Sequence, residues 1–354
     1  MVSGAGDSIR PARLSDRPAL VDLSRRVHGS TDAHRRSLGV PAPSTALPRI
    51  SLGALIPSWL SLRAPSVHLV AEADGQLVGS CRAITEPHRE DWVIIELDAA
   101  DRPLATEVRW SLLRALIEEA TQHNMARIHV ACSDVPENME LFGQLGFMAY
   151  AEEEIWYRPA ETSPSARSWL RARLPGGGSS RGPTNAPTDD VPALQEVSPS
   201  DAWHLFDLWT HTTPPAIARL EGYGATDWEP VGHEGVVPRS SLNPLLHFSA
   251  VNALLLPDGA RAAGFAQHGA CREGPHYLRF LIRDGTDGLA FLQATLAAIG
   301  SEAAAAGILS PVRTYEAAGR QAATDAGFEP VGRVTMLVRE VRAEVRQPAM
   351  VPAI

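Results

Sequence analysis

One order of secondary-structure elements, read from hydrophobic spacing, occurs twice along this chain, and that repetition constrains the fold more than any single motif. The first pass begins with a short strand at Ser8–Ala12 and a helix over Leu14–Val27, where Leu20, Leu23 and Val27 recur at helical spacing and Ser15 or Asp16 can cap. Thr31 to Ser66 is Pro-rich, with a helix expected over Leu52–Leu62. Val67–Ala73, Asp74-Gly75 and Gln76–Ala83 form a hairpin pattern with a type I′ turn. A strand over Asp91–Ala99, a long helix over Leu104–Asn124, a buried strand over Ala126–Cys132, a helix to Gly146 and a closing strand over Phe147–Tyr157 follow. The second pass repeats this: strand Ala193–Val197, helix Ser200–His211, an irregular stretch to Pro244 and a hairpin around Pro257-Asp258-Gly259. Strand His276–Arg283, helix Gly288–Gly307, strand Leu309–Thr314, helix Ala317–Gly327 and closing strand Val331–Val341 complete it.

Between the passes runs Leu174-Pro-Gly-Gly-Gly-Ser-Ser-Arg-Gly-Pro-Thr-Asn-Ala-Pro-Thr, which lacks the apolar surface needed to offset its own ordering entropy. The expected division is therefore an N-terminal domain over 1–160, a linker over 161–190, a C-terminal domain over 191–345 and a tail over 346–354. A length of 354 residues suits two cores rather than one.

The formal net charge of -9 argues against a nucleic-acid binder held by phosphate contacts and suits a basic or amine-bearing substrate. The 32 basic residues are all arginine. Cys81, Cys132 and Cys271 do not form a disulfide framework, so a reducing, cytoplasmic setting is expected. The start of the chain has no signal-peptide pattern, and no uninterrupted membrane-spanning apolar run is read, so no membrane partner is expected. His268, Cys271 and His276 cluster loosely but without zinc spacing, so no metal site is assigned. Trp203, Phe206 and Trp209 fall at helical spacing and read as core or interface packing.

Two local patterns carry a resemblance. Leu141-Phe142-Gly143-Gln144-Leu145-Gly146-Phe147 follows the strand ending at Cys132, and Ala323-Thr324-Asp325-Ala326-Gly327-Phe328 follows the strand ending at Thr314. In each, a glycine ends a helix and a phenylalanine starts the last strand. With the opening Ile9-Arg10-Pro11-Ala12 and the Asp74-Gly75 hairpin, the chain resembles the GNAT N-acetyltransferase family twice over, across nearly all of 8–158 and 192–341. The resemblance implies an α/β fold with a mixed sheet in each of two tandem domains. It also implies a central strand that parts from its neighbour to admit acyl-CoA, and a glycine-rich helix start for the pyrophosphate.

The sequence departs from that pattern in specific places. The glycine positions of the first phosphate loop fall near Ala105, Glu107 and Arg109; Arg102 and Arg109 are the candidate replacements as phosphate donors. The second half keeps Gly285 and Gly288 in Arg283-Asp-Gly-Thr-Asp-Gly, after Ile282. The late tyrosine that serves such enzymes as general acid is replaced by Phe142 and Ala323, and neither donates a proton. Glu96, in Val93-Ile-Ile-Glu-Leu-Asp98, is the candidate general base. The comparable strand of the second half has no carboxylate, and His276 is its only titratable alternative of that kind. Backbone around Leu97, Asp98 and Ala99 is expected to hold the donor and polarise its carbonyl; Ile282, Arg283, Gly285 and Gly288 are the matching positions later.

The expected function is an acyl-CoA-dependent N-acyltransferase, with acetyl-CoA as donor and an amine of a small molecule or peptide as acceptor. The alternative is a catalytically impaired tandem protein that senses a ligand or serves assembly. Glu96 favours the first half for chemistry, whereas Gly285 and Gly288 favour the second for binding the donor. The Pro-rich stretches Thr31–Ser66 and Pro214–Pro244 are expected to wall the acceptor side.

Overall fold

The structure, a computed structural model, describes residues 8–40, 66–86, 89–100, 104–160, 192–231, 237–272 and 274–341. The expected helix over Leu52–Leu62, the linker over 161–190 and the tail over 346–354 lie outside the described residues.

The chain forms two compact units, which are not simply its two halves. The first comprises Met1–Gly39, Pro48–Tyr150 and Thr335–Ile354; the second comprises Val40–Leu47 and Ala151–Val334. In the first, β1 (Ser8–Pro11), α1 (Arg17–Gly29) and α2 (Thr31–Arg36) precede the hairpin of β2 (Ser66–Ala73) and β3 (Gln76–Thr85). The turn carries positive φ at both Asp74 and Gly75, as a type I′ turn requires. β4 (Asp91–Ala99), α3 (Ala105–Gln122), β5 (Arg127–Cys132) and α4 (Pro136–Gln144) follow. The chain leaves this unit within β6 (Met148–Arg158).

The second unit contains β7 (Gln195–Glu196), α5 (Ala202–Thr212) and α6 (Pro215–Glu221). Then come β8 (Phe248–Asp258), β9 (Arg261–Cys271), β10 (His276–Ile282), α7 (Gly288–Ala306), β11 (Ile308–Arg313), α8 (Ala317–Asp325) and β12 (Glu329–Glu340). The repeat extends to small details. Asp16 accepts the backbone N–H of Arg13 at 2.7 Å, and Asp201 accepts that of Ser198 at 2.8 Å, each fixing a 3-10 turn that leads into a helix. In both halves the regular helix starts one residue after that aspartate, at Arg17 and at Ala202.

Each unit is closed by a strand from the other half of the sequence. In the first unit the sheet order is β1-β2-β3-β4-β5-β12, and Thr335–Glu340 runs antiparallel to β5. In the second the order is β6-β11-β10-β9-β8-β7, and Glu153–Arg158 runs antiparallel to β11. A reading in which each half closes on its own last strand does not hold. Both closing strands carry a run of consecutive buried residues and the same Gly-Phe lead-in, so local sequence does not distinguish self-closure from exchange.

The helix cores follow the expected spacing. Leu20, Leu23 and Val27 of α1 are buried, as are Leu112, Leu113 and Leu116 of α3. Where α3 crosses β3, a Cβ on Gly79 would lie 2.5 Å from Val108 Cγ1; where α7 crosses β9, a Cβ on Gly264 would lie 2.9 Å from the Phe291 ring. Glycine is thus required twice at the same place, for close approach of helix to sheet. Trp209 is buried in the second core, but Trp203 is 64% exposed, so the aromatic stripe is only partly core. α7 is long and apolar enough to cross a membrane by length and composition, although Gln293, Thr295, Ser301 and Glu302 interrupt its apolar run. Its Phe291, Leu292 and Ala303 are packed in the core of the second unit.

Candidate functional site

The two central strands of the first unit are parallel and separate midway. β4 pairs with β5 from Asp91–Arg127 to Ile94–Val130 and no further, although β4 continues to Ala99. The departure coincides with a bulge. Ala83 of β3 faces Ile94 and Arg82 faces Glu96, so Ile95 is the additional residue that turns the strand. Beyond it the faces are fixed by register. Gly79 opposes Ala99 beneath α3, so Leu97 and Ala99 belong to the α3 face, while Glu96 and Asp98 belong to the face covered by α1 and α2. The Ala100 N–H donates to Val78 O, which makes Asp98–Ser80 and Glu96–Arg82 the hydrogen-bonded pairs. By alternation, the backbone N–H and C=O of Leu97 and Ala99 point the other way, into the gap.

Six polar side chains meet on the α1–α2 face, five of them buried and His28 half-buried. Ser80 Oγ bonds Glu96 Oε1 and lies 3.1 Å from His68 Nε2. Ser37 Oγ lies 2.9 Å from Leu97 O and 2.7 Å from Asp98 Oδ1. His28 Nε2 approaches Asp98 Oδ2 at 3.9 Å, and neither of these atoms has a hydrogen-bond partner. Burial, reinforced by the Glu96 charge, raises Asp98 to about 8. Burial likewise lowers His28 and His68, so both rings rest neutral at pH 7. The two acids therefore sit among hydroxyls and neutral imidazoles, with Arg82 opposite Glu96. Sequence spacing indicates Glu96 and Asp98 on one face; it cannot indicate His28, Ser37, His68 or Ser80, which arrive from other elements.

The segment Arg35–Leu38 lines the same gap. Ser37 holds Leu97 O on the β4 side, while the Ser133 N–H, just past β5, donates to Leu38 O at 2.6 Å. Asn138 of α4 donates to Arg35 O at 2.9 Å. Arg109 is drawn into this support: its guanidinium donates to Arg36 O and, at 3.1 Å, to Asn138 Oδ1, and its side chain is buried. Arg102 lies outside the described residues.

The second unit parts its central strands in a different way. β10 pairs with β11 only at His276–Ile308 and Tyr277–Leu309, and β9–β10 runs without a bulge. The Arg283 N–H donates to Ala263 O, so Leu278, Phe280 and Ile282 turn their backbone groups toward β11. Counting from Gly264 as from Gly79, Arg279 occupies the position of Glu96. Its guanidinium bonds Phe280 O and makes a bidentate pair with Glu316, just past β11, with Nη1–Oε2 at 2.9 Å. Ser310 Oγ donates to Leu278 O at 2.6 Å. Side chains thus tie the strands together where the backbone does not. Nearby, Arg313 pairs with Glu153 at 3.2 Å and Glu221 at 3.0 Å, all buried.

The later donor-site candidates surround the turn into α7. Arg283 pairs with Asp207 at 2.6 Å, and Asp287 caps the helix through the Ala290 N–H. Gly285 has φ +87° with open space beside it. A Cβ on Gly288 would meet Ala322 Cβ at 2.9 Å, so that glycine serves helix packing. His276 Nδ1 lies 2.9 Å from His268 Nε2, and burial lowers both. Among the described residues, no three metal-ligating side chains converge.

No protein-family model and no curated protein matches the chain. Solved structures do. A tandem GNAT protein from the clavulanic acid biosynthesis pathway aligns at TM-score 0.52 with 12% identity, over 95% of this chain and 99% of that one. A GCN5-related N-acetyltransferase from Sphaerobacter thermophilus aligns at 0.54 with 13% identity, over 95% and 96%. A putative acetyltransferase from Pyrococcus horikoshii aligns at 0.50 with 11% identity, over 97% and 92%.

Proposed function

We propose that this chain, which has the tandem GNAT fold, is an acyl-CoA-dependent N-acyltransferase whose chemistry takes place in the first unit. The observation that carries this is the parting of β4 from β5 at the Ile95 bulge, with the buried Glu96–Asp98 pair beside it. A ladder that ends while one strand continues leaves backbone donors aimed into a gap. Paired buried carboxyl groups mark functional sites more often than structural ones, and here Arg82 stands opposite Glu96 while no arginine pairs with Asp98.

The thioester end of a donor fits this gap: the Leu97 and Ala99 N–H groups point into it and are suited to hold a carbonyl oxygen. The phosphate end fits less well. Arg109 is committed to Arg36 and Asn138, so that end falls to Arg102 and the first-turn N–H groups of α3. The donor proposed is acetyl-CoA, which supplies the activated acyl group, and the acceptor is an amine of a small molecule or peptide. Glu96 takes the proton from the acceptor ammonium and frees its lone pair for attack on the carbonyl carbon. The Arg35–Leu38 segment walls the acceptor face.

In the second unit, Arg279–Glu316 and Ser310 tie the corresponding strands. We assign that unit a supporting rather than catalytic role. The commitment of Arg109 also favours a second reading, in which the whole chain binds a ligand without turning it over.

The test is titration calorimetry with acetyl-CoA, followed by acyl transfer to an amine panel. Binding is expected, with turnover that falls at least about a hundredfold in Glu96→Gln while affinity for acetyl-CoA is kept. Binding without turnover in the wild type would favour the ligand-sensing reading. No binding at millimolar acetyl-CoA would remove the acyltransferase proposal.

A further inference from the structure

We propose that Asp98 rests as a neutral carboxylic acid and is the proton donor to the departing thiolate, an inference that depends on the acyltransferase reading. It starts from a count of protons. Ser37 Oγ lies 2.9 Å from Leu97 O and 2.7 Å from Asp98 Oδ1, and a hydroxyl has one proton. A carbonyl only accepts, so both contacts are hydrogen bonds at once only when the Ser37 proton goes to Leu97 O. The shorter contact is then made by a proton on Asp98 that the Ser37 oxygen accepts.

The surroundings agree. The groups around Asp98 are Glu96 on its own strand, the Ser80 hydroxyl opposite it on β3, His28 on α1, the Ser37 hydroxyl and, on the other face of the sheet, the Cys81 thiol. Glu96 disfavours a second negative charge, His28 is neutral, burial keeps the Cys81 thiol protonated, and no arginine pairs with Asp98. Asp98 is 1% exposed, which adds the desolvation penalty on its charged form. Its Oδ2 has no hydrogen-bond partner and lies 3.9 Å from His28 Nε2.

The chemistry leaves a role for such a group. Acyl transfer forms a C–N bond and breaks a C–S bond, and the electron pair of the latter goes to sulfur. Glu96 removes one proton from the acceptor ammonium before attack. Asp98 gives its proton to sulfur as the C–S bond breaks. The resulting Asp98 carboxylate takes the second proton from nitrogen, which leaves amide, thiol and a neutral Asp98; Glu96 then releases its proton to water. Other candidates in this unit are poorly placed. Phe142 is buried and has no proton to give. Tyr150, the one tyrosine of the first unit, packs edge-on against His129, where β4 and β5 are still paired.

The decisive variant is Asp98→Asn, which keeps an N–H donor for Ser37 and the shape of the side chain but has no acidic proton. In the full chain we expect unchanged acetyl-CoA affinity and a fall in kcat of at least tenfold. With an aryl acetyl thioester, whose thiol leaves without protonation, the deficit shrinks to less than about threefold, because the lost step no longer matters. An equal deficit with both donors would mean a structural role and would overturn the proposal. Infrared difference spectra of wild type against Asp98→Asn at pH 7 report the carboxyl independently of activity. A protonated carboxyl band supports the assignment, and an ionised carboxylate overturns it. If the wild type transfers acetyl groups and Asp98→Asn does so equally well, the donor role alone falls. If the wild type neither binds acetyl-CoA nor turns over, the acyltransferase reading falls and the donor role with it.

Discussion

Glu96 and Arg279 stand at the same point of the two repeats, each three pairs from a glycine that lets a helix approach the sheet. Their surroundings differ in kind. Arg279 is matched by Glu316 and bonds Phe280 O, so a buried charge meets its opposite and the parted strands are held together. Glu96 meets Ser80, and through it His68, while its neighbour Asp98 meets Ser37. Arg82 stands opposite Glu96, but no guanidinium pairs with Asp98; a buried acid without one does little for stability, and its retention makes sense when it holds or moves protons. One repeat uses its central charge to close a gap, and the other keeps its acids available beside one.

The largest effect should come from breaking the closed side. Arg279→Ala leaves Glu316 buried without its partner and should destabilise the second unit by about 3–5 kcal/mol in urea denaturation. A change within about 1 kcal/mol would mean that the pair closes nothing of consequence.

The next effect concerns pH and the open side. Asp98 is raised from 3.8 in the unfolded chain to about 8 when folded, so the folded state binds its proton more tightly. Its contribution is full below the unfolded value and is lost as pH rises through about 8. In Asp98→Asn this loss is absent. The variant should gain on the wild type between pH 5 and 8, on the order of 3 kcal/mol at the upper end, measured by denaturation at each pH. A constant difference across that window would place Asp98 among ordinary ionised carboxylates.

The smallest effect tests where the repeats agree. Gly79→Ala and Gly264→Ala each force a methyl against a helix, on Val108 and on Phe291, and each should cost about 1–3 kcal/mol. Similar values would show that the scaffold is shared while the chemistry is not. A large inequality would mean that helix and sheet pack differently in the two units.

Much of the scaffold was legible in the sequence. The Asp74-Gly75 turn, the periodic Leu20, Leu23 and Val27, and the Gly-Phe ends each depend on neighbours within a few residues, and each appears as read. Glu96 and Asp98 could be placed on one face because strand side chains alternate. Arg109 shows the limit. As a sequence position it suits a phosphate; in the fold it holds Arg36 and Asn138, because a long side chain goes to whichever acceptors the packing provides.

By itself, then, the sequence determined a doubled α/β order, its turns and the acids on its fourth strand, since propensity and periodicity act over short stretches. Only the tertiary structure decided that the closing strands are exchanged, that Ile95 bulges, and that Ser37, His28 and His68 surround the acids. Those outcomes depend on residues tens of positions apart, whose meeting follows from burial of the whole chain rather than from any local preference.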